Sequence, residues 1–166
     1  MAEALFVTTT DLKKFSALAG NIDNDKLVQW IKIAQDTHIQ RYLGTDLFEH
    51  LKQAIIDVDL SVNETALINN YIKDMTIHWA LSVAMPFLPY TVASKGVYKH
   101  TSENSEVVDK SEVENLAQKH TNLAEFYTNN FINYMCYNHT LFPQYDTNTN
   151  EETKPDNKTF FNGWVI

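Results

Sequence analysis

Apolar residues recur at helical spacing along almost the whole chain, and that spacing breaks once, between Thr91 and Leu116. Leu27, Trp30, Ile31, Ala34, His38, Ile39, Tyr42 and Leu43 stand three or four residues apart, which is the period of one buried helix face. Leu47, Phe48, Leu51 and Ile55 repeat it, as do Leu67, Ile68, Tyr71, Ile72, Met75, Trp79, Ala80 and Val83. The longest run is Val113, Leu116, Ala117, His120, Leu123, Ala124, Tyr127, Phe131, Met135 and Cys136. A chain of 166 residues with 4 Gly and 4 Pro has few places to turn, so long helices around one core are expected.

Start and stop signals divide these runs. A short first helix takes Thr10 as its cap, buries Leu12, Phe15 and Leu18 or Ala19, and stops at Gly20. Asp23 or Asn24 caps the second helix, and Gly44 ends it. Thr45 caps the next helix at once, so "YLGTDLF" reads as a tight corner between two helices. Ser61 and Glu64 match a capping box, with Asn63 as the alternative cap. Pro86 and Pro89 end that helix. Ser111 and Glu114 form a second capping box before a helix that runs to about Leu141 and stops ahead of Pro143.

The break has its own pattern. Around Lys95-Gly96, the segments Tyr90–Ser94 and Val97–Thr101 alternate with period two, and a glycine supplies the positive φ of a hairpin turn. A β-hairpin inserted at about 90–108 follows. It projects as an interlocking arm or folds back on its own helices; "HTSENSE" offers no apolar residue for the second arrangement. At the other end, "DTNTNEETKPDNK" has no apolar residue and reads as a flexible linker, after which "TFFNGWVI" is abruptly apolar. The expected architecture is mainly α. It is a bundle of about five helices over 1–142 with the inserted hairpin, then a linker and an extended C-terminal tail over 143–166.

Chemistry is sparse. The formal net charge is -8 and there is no basic run, which disfavours gripping a phosphate backbone. One cysteine, Cys136, builds neither a disulfide framework nor a cysteine-rich zinc site, and it reads as a small buried hydrophobe. No His-x-x-x-His pair, calcium loop or phosphate-cradling glycine loop occurs. For an enzyme, His38, His50 and Cys136 are the only handles. Sequons at Asn63, Asn138 and Asn157 are as frequent as chance gives in a chain so rich in Asn, Ser and Thr. No apolar run has membrane-span length, and "MAEALFVTTT" lacks the basic start of a signal peptide. A binding or structural role in the cytoplasm, or in an assembly made there, is expected, with no cofactor and no metal.

Several segments together resemble one family. In order they are "TTTDLKKF", "IKIAQDTHIQRYLGTDLFEHL", "SKGVYKHTSENSEVVDKSEVENL", "AEFYTNNFINYM" and "FFNGW". They are similar to the head–tail connector (adaptor) proteins of tailed phages that infect Bacteroides-type bacteria, the crAss-like phages among them. The resemblance covers nearly the whole chain. "KGV…TSENSE" followed by a capped helix with "AEFY" is its most specific part. It implies an HK97-type connector fold and a ring of about twelve subunits under the portal protein. DNA would pass through the channel without specific binding, tail or ring proteins would follow below, and no membrane would be involved. It supplies no catalytic residues. The interface residues expected on this reading are Lys95, Gly96, Val97 and Tyr98 at the hairpin, and Phe160, Phe161, Trp164, Val165 and Ile166 in the tail. The tail docks on a neighbour with Trp164 as anchor, or tucks against its own helices. The competing class is a small helical cytoplasmic interaction module with a C-terminal binding peptide.

Overall fold

In a computed structural model, the structure describes residues 3–16, 18, 22–88, 90–93, 96–99 and 109–160. The protein is mainly helical, with five continuous helices among the described residues. The first is α1 (Thr9–Lys14). The second begins as α2 (Asn24–Ala34), passes through a π-helical turn (Gln35–Ile39) and ends as α3 (Gln40–Leu43). The third is α4 (Thr45–Asp57). The fourth begins as α5 (Val62–Leu67), passes a second π turn (Ile68–Ile72) and ends as α6 (Lys73–Ala84). The fifth, α7 (Lys110–Asn138), runs into two 3-10 turns, His139–Leu141 and Pro143–Tyr145.

The centre of the bundle is α6. Met75, Thr76, Ile77, Trp79, Ala80, Leu81 and Ala84 are buried over most of its circumference, with half-buried Asp74, His78 and Ser82 on the remaining side, the mark of a helix with neighbours on several sides. Its main neighbours are α7 and α2, which pack on α6 rather than on each other. The polar groups this helix buries are satisfied. The Trp79 indole N–H donates to Thr128 Oγ1 at 3.1 Å, and that hydroxyl donates to the Ala124 carbonyl at 2.7 Å. Thr76 donates to the Ile72 carbonyl at 2.7 Å. On the α2 side, buried Gln35 accepts from the Phe6 N–H at 2.6 Å and donates to the Ala4 carbonyl at 3.2 Å. The N-terminal segment is thereby pinned with Ala4, Phe6 and Val7 buried.

Several start signals sit a residue or two from where the sequence pattern puts them. Thr8 caps α1, in a box with Asp11, in place of Thr10. Asp109 caps α7, in a box with Glu112, in place of Ser111 with Glu114. In both cases two polar residues compete, and the earlier one reaches the third N–H with its own backbone still extended. Asp23 caps α2 and Ser61 caps α5 with Glu64. At the corner, Gly44 itself is the N-cap of α4, with φ 75 and ψ 156 and no side-chain cap. Thr45 does not cap. Its hydroxyl accepts from Gln40 Nε2 at 3.1 Å and from the Thr153 N–H at 3.3 Å.

The last of these contacts comes from the polar segment expected to be a free coil. That segment is laid across the corner instead. Thr45 N–H donates to the Thr153 carbonyl at 3.0 Å, and Asp156 N–H to the Arg41 carbonyl at 2.9 Å. The Arg41 guanidinium donates to Asp156 through Nε at 2.9 Å and Nη2 at 2.7 Å. Asp46 accepts from the Thr147 hydroxyl, the Thr149 hydroxyl and the Thr149 N–H. An apolar-free composition gives no core, but short polar side chains next to helix ends give local partners. Of the expected aromatic core, Tyr42, Phe48, Trp79 and Phe131 are buried, while Trp30, Tyr71 and Tyr127 are half-buried. Cys136 is exposed rather than buried.

Where a hairpin is expected, β1 (Tyr90–Ala93) and β2 (Gly96–Lys99) pair antiparallel, Tyr90 opposite Lys99 and Ala93 opposite Gly96. Residues 94–95 and 100–108 lie outside the described residues.

Two substitutions test the backbone account. A Cβ on Gly44 would stand 2.7 Å from Pro155 Cγ and Cδ, at a φ of +75. Gly44→Ala therefore costs about 1–3 kcal/mol of strain, read by urea unfolding, and it exposes Lys154 and Lys158 to limited proteolysis. Val58 ends α4 in the left-handed region (φ 56, ψ 39) with a side chain 91% exposed. Val58→Gly removes strain without losing packing and stabilises by about 0.5–1 kcal/mol in the same assay.

Candidate functional site

The expected interface residues divide. Lys95, Phe161, Trp164, Val165 and Ile166 lie outside the described residues. Gly96, Val97 and Tyr98 lie in β2. Phe160 is half-buried on its own bundle. Its ring stands 6.1 Å from Tyr42 and 6.4 Å from Trp79, centroid to centroid. Asn129 of α7 clamps its backbone from both sides, accepting from the Phe160 N–H at 2.8 Å and donating to its carbonyl at 3.2 Å. One amide thus satisfies both backbone groups of one residue and holds Phe160 on α7.

The residues that an enzyme would need do not converge. His38, on the first π turn, stacks on Trp79 at 3.9 Å between centroids, and burial lowers its pKa. His50 on α4 contacts Glu64 Oε1 at 2.5 Å, beside the capping box of α5. Cys136 stands apart from both, on the exposed side of α7. Among the described residues no three His, Cys, Asp or Glu side chains group as metal ligands would. Among them also, no helix is long and apolar enough to cross a membrane.

A further pair of histidines was not legible as a pair. His78 on α6 and His120 on α7 meet with their Nδ1 atoms 3.2 Å apart. Forty-two positions separate them, and only the antiparallel packing of the two helices brings them together. The Tyr127 ring lies parallel to His78 at 5.2 Å. Burial, then the neighbouring His120, push His78 down to about 4, and burial lowers His120 too.

Next to this pair, an open groove of about 450 Å³ runs between the second π turn and α7. Its walls are amides and phenols: Asn70 and Tyr71 on one side, and Tyr127, Asn130, Asn133, Tyr134, Tyr137 and Asn138 on the other. Tyr71 and Tyr134 stack at 4.3 Å. No charged side chain lines the groove. The arrangement presents hydrogen-bonding amides and aromatic faces, which suits a neutral surface contact and offers no nucleophile–base pair. Single asparagines spaced along a helix carry no sequence signal of a groove; the second wall comes from a π turn that periodicity does not announce.

These features define a mainly helical domain whose Gly44 corner is crossed by a polar strap, residues 146–158, with its distinctive surface on α7. The chain belongs to a family of unknown function, DUF6712, which matches residues 39–155. That span includes the Gly44 corner, α7 and the strap as far as Pro155. No curated protein and no solved structure matches the chain.

The histidine pair sets a pH dependence. His78 titrates at about 4 in the folded protein against 6.5 when unfolded. The unfolded chain therefore binds the extra proton between those values. The contribution of this histidine is constant above about pH 6.5 and is lost as pH drops from 6.5 towards 4. Melting temperatures across that window show the decline, and His78→Phe, which keeps a ring against Tyr127, reduces its slope.

Proposed function

We propose that the protein is a structural virion protein of a tailed phage. In this reading it is an adaptor subunit whose ring of about twelve copies joins the portal to the tail and surrounds the DNA channel. It resides at the portal vertex, after assembly in the host cytoplasm. The resemblance of "YLGTDLF", "KGV…TSENSE" and "AEFY" to phage connectors, in that order, is the starting point.

One observation carries the reading furthest. Among the described residues, β1 and β2 form a two-stranded sheet in an otherwise helical protein. A lone strand pair is marginal in water, and both of its edges offer unpaired N–H and C=O groups to another chain. An inserted hairpin over about 90–108, with Lys95 and Gly96 at its tip and Val97 and Tyr98 behind, acts as an arm that engages a neighbouring subunit or ring. The tail acts with it. Phe160 is held on its own subunit, so the trans contact falls to Phe161, Trp164, Val165 and Ile166. The second reading, a helical cytoplasmic interaction module, draws on the same tail, with Asn129 as the post from which a binding peptide extends.

An acidic chain suits a channel wall, since like charge lets a duplex slide where a basic lining would hold it. The lining of the assembled ring is accordingly net acidic, checked by an electrostatic map of the ring; a continuous Lys/Arg lining contradicts it.

The decisive experiment is truncation after Phe160, which removes the tail and leaves the strap. The shortened protein keeps its helical circular dichroism and melting temperature. Co-expressed with a phage portal protein, it fails to form the ring expected of the full chain by electron microscopy. Normal rings from the truncated protein remove the tail from the mechanism. Absence of any ring from the full chain removes the adaptor reading and leaves the interaction module.

A further inference from the structure

Among the described residues, the groove between the second π turn and α7 is walled by four tyrosines and four asparagines and by no other residue type. The whole chain has 8 Tyr, so half of them meet in this one place. The side-chain amides of Asn70, Asn130 and Asn133 bond no other group among the described residues, and neither do the four phenols. An amide offers two donors and an acceptor, and a phenol offers one donor and an acceptor. Seven uncharged groups that both give and take hydrogen bonds therefore converge on one cleft.

The walls are held before any ligand arrives. Tyr71 and Tyr134 stack on each other at 4.3 Å, and Tyr127 lies flat on His78 at 5.2 Å. Asn138 donates to the Tyr134 carbonyl at 2.9 Å. A ligand meets fixed groups and pays little to order them. Tyr137 differs: its side chain is 88% exposed, and no other ring covers it among the described residues. It offers an open aromatic face at one end of the groove. Asn130 to Tyr137 spans about 10 Å along α7, and the volume of about 450 Å³ lies in the roughly 300–1,000 Å³ range of small-ligand clefts.

We propose that this groove binds a neutral saccharide, its hydroxyls bonded by Asn70 on one side and by Asn130 and Asn133 on the other, with a sugar face laid on Tyr137. The chemistry selects the class. A phosphate, carboxylate or ammonium group would lose water here and find no opposite charge. An aliphatic ligand, or a peptide anchored by an apolar side chain, would find no aliphatic wall and would leave the amides unpaired. A sugar carries hydroxyls around its edge, each both donor and acceptor, which is the pattern the amides and phenols complement. Its C–H faces are apolar and suit an aromatic ring. The proposal stands apart from the adaptor reading: it needs one folded chain and no ring of subunits.

The test titrates the full-length protein with neutral trisaccharides of glucose, mannose and N-acetylglucosamine and follows the side-chain amide signals of asparagine by nuclear magnetic resonance. Trigalacturonate serves as the charged control and tetraglycine as the peptide control. Each is taken to about 20 mM, where sites of millimolar affinity are filled. At least one neutral trisaccharide is expected to shift the Asn130 and Asn133 amides saturably, while trigalacturonate leaves them in place. Tyr137→Ala and Asn133→Ala, both at exposed positions, are each expected to weaken that binding by roughly tenfold with unchanged circular dichroism. Absence of any shift with all three sugars overturns the proposal. So does binding that both variants leave intact, which places the sugar elsewhere. Shifts of the same amides with tetraglycine and with no sugar overturn it in favour of a protein contact.

Discussion

The contact between Gly44 and Pro155 holds two parts of the molecule that are more than a hundred residues apart. The glycine turns the chain from α3 into α4 at a φ of +75, and the proline ring occupies the space a Cβ would take. Around that point the strap is laid down by backbone bonds on both sides, Thr45 N–H to Thr153 and Asp156 N–H to Arg41. The corner fixes the angle between two helices; the same corner seats the strap; the strap delivers Phe160 to Asn129. An apolar core alone would not do this, because the segment between Asp146 and Lys158 has nothing apolar to bury beyond Pro155. Its order comes from polar partners that helix termini leave free.

The second organising element is α6, whose buried residues cover most of its circumference and so must be enclosed. Trp79 shows how the enclosure is made specific. Its indole N–H reaches Thr128, its ring meets His38 on one side and approaches Phe160 on another. One side chain thereby ties α2, α7 and the C-terminal strap to the same helix. A buried Trp with an unpaired N–H would cost about 1–3 kcal/mol, so Thr128 at this position is more than a space filler.

Much of this was legible in the sequence, for identifiable reasons. Helix existence followed from periodicity, since the apolar faces of α4, α6 and α7 are long and regular. Trp79 and Phe131 fell on those faces and are buried. Helix starts were less legible wherever two capping residues lie close together, as with Thr8 and Thr10. The π turns were invisible, because one extra residue in a turn leaves no composition mark. The strap was misjudged for a clear physical reason: composition reports whether a segment can form a core, not whether a neighbouring surface offers it hydrogen bonds. The groove was missed similarly. Tyr71 and Tyr127 were read as helix-face residues, and nothing in their spacing says that asparagines would stand beside them.

The distribution of charge on α7 bears on function more than the total does. From His120 to Asn138, the exposed residues of α7 and the groove walls carry no charge, although the chain as a whole has 21 Asp and Glu against 13 Lys and Arg. Solvent-facing helix surfaces ordinarily carry charge, which keeps proteins apart. Leaving the exposed side of α7 uncharged from His120 onward forfeits that protection along roughly 30 Å. The loss is consistent with a surface that meets protein. The amide-rich half adds discrimination, since Asn130 and Asn133 favour a partner that satisfies them and penalise one that does not.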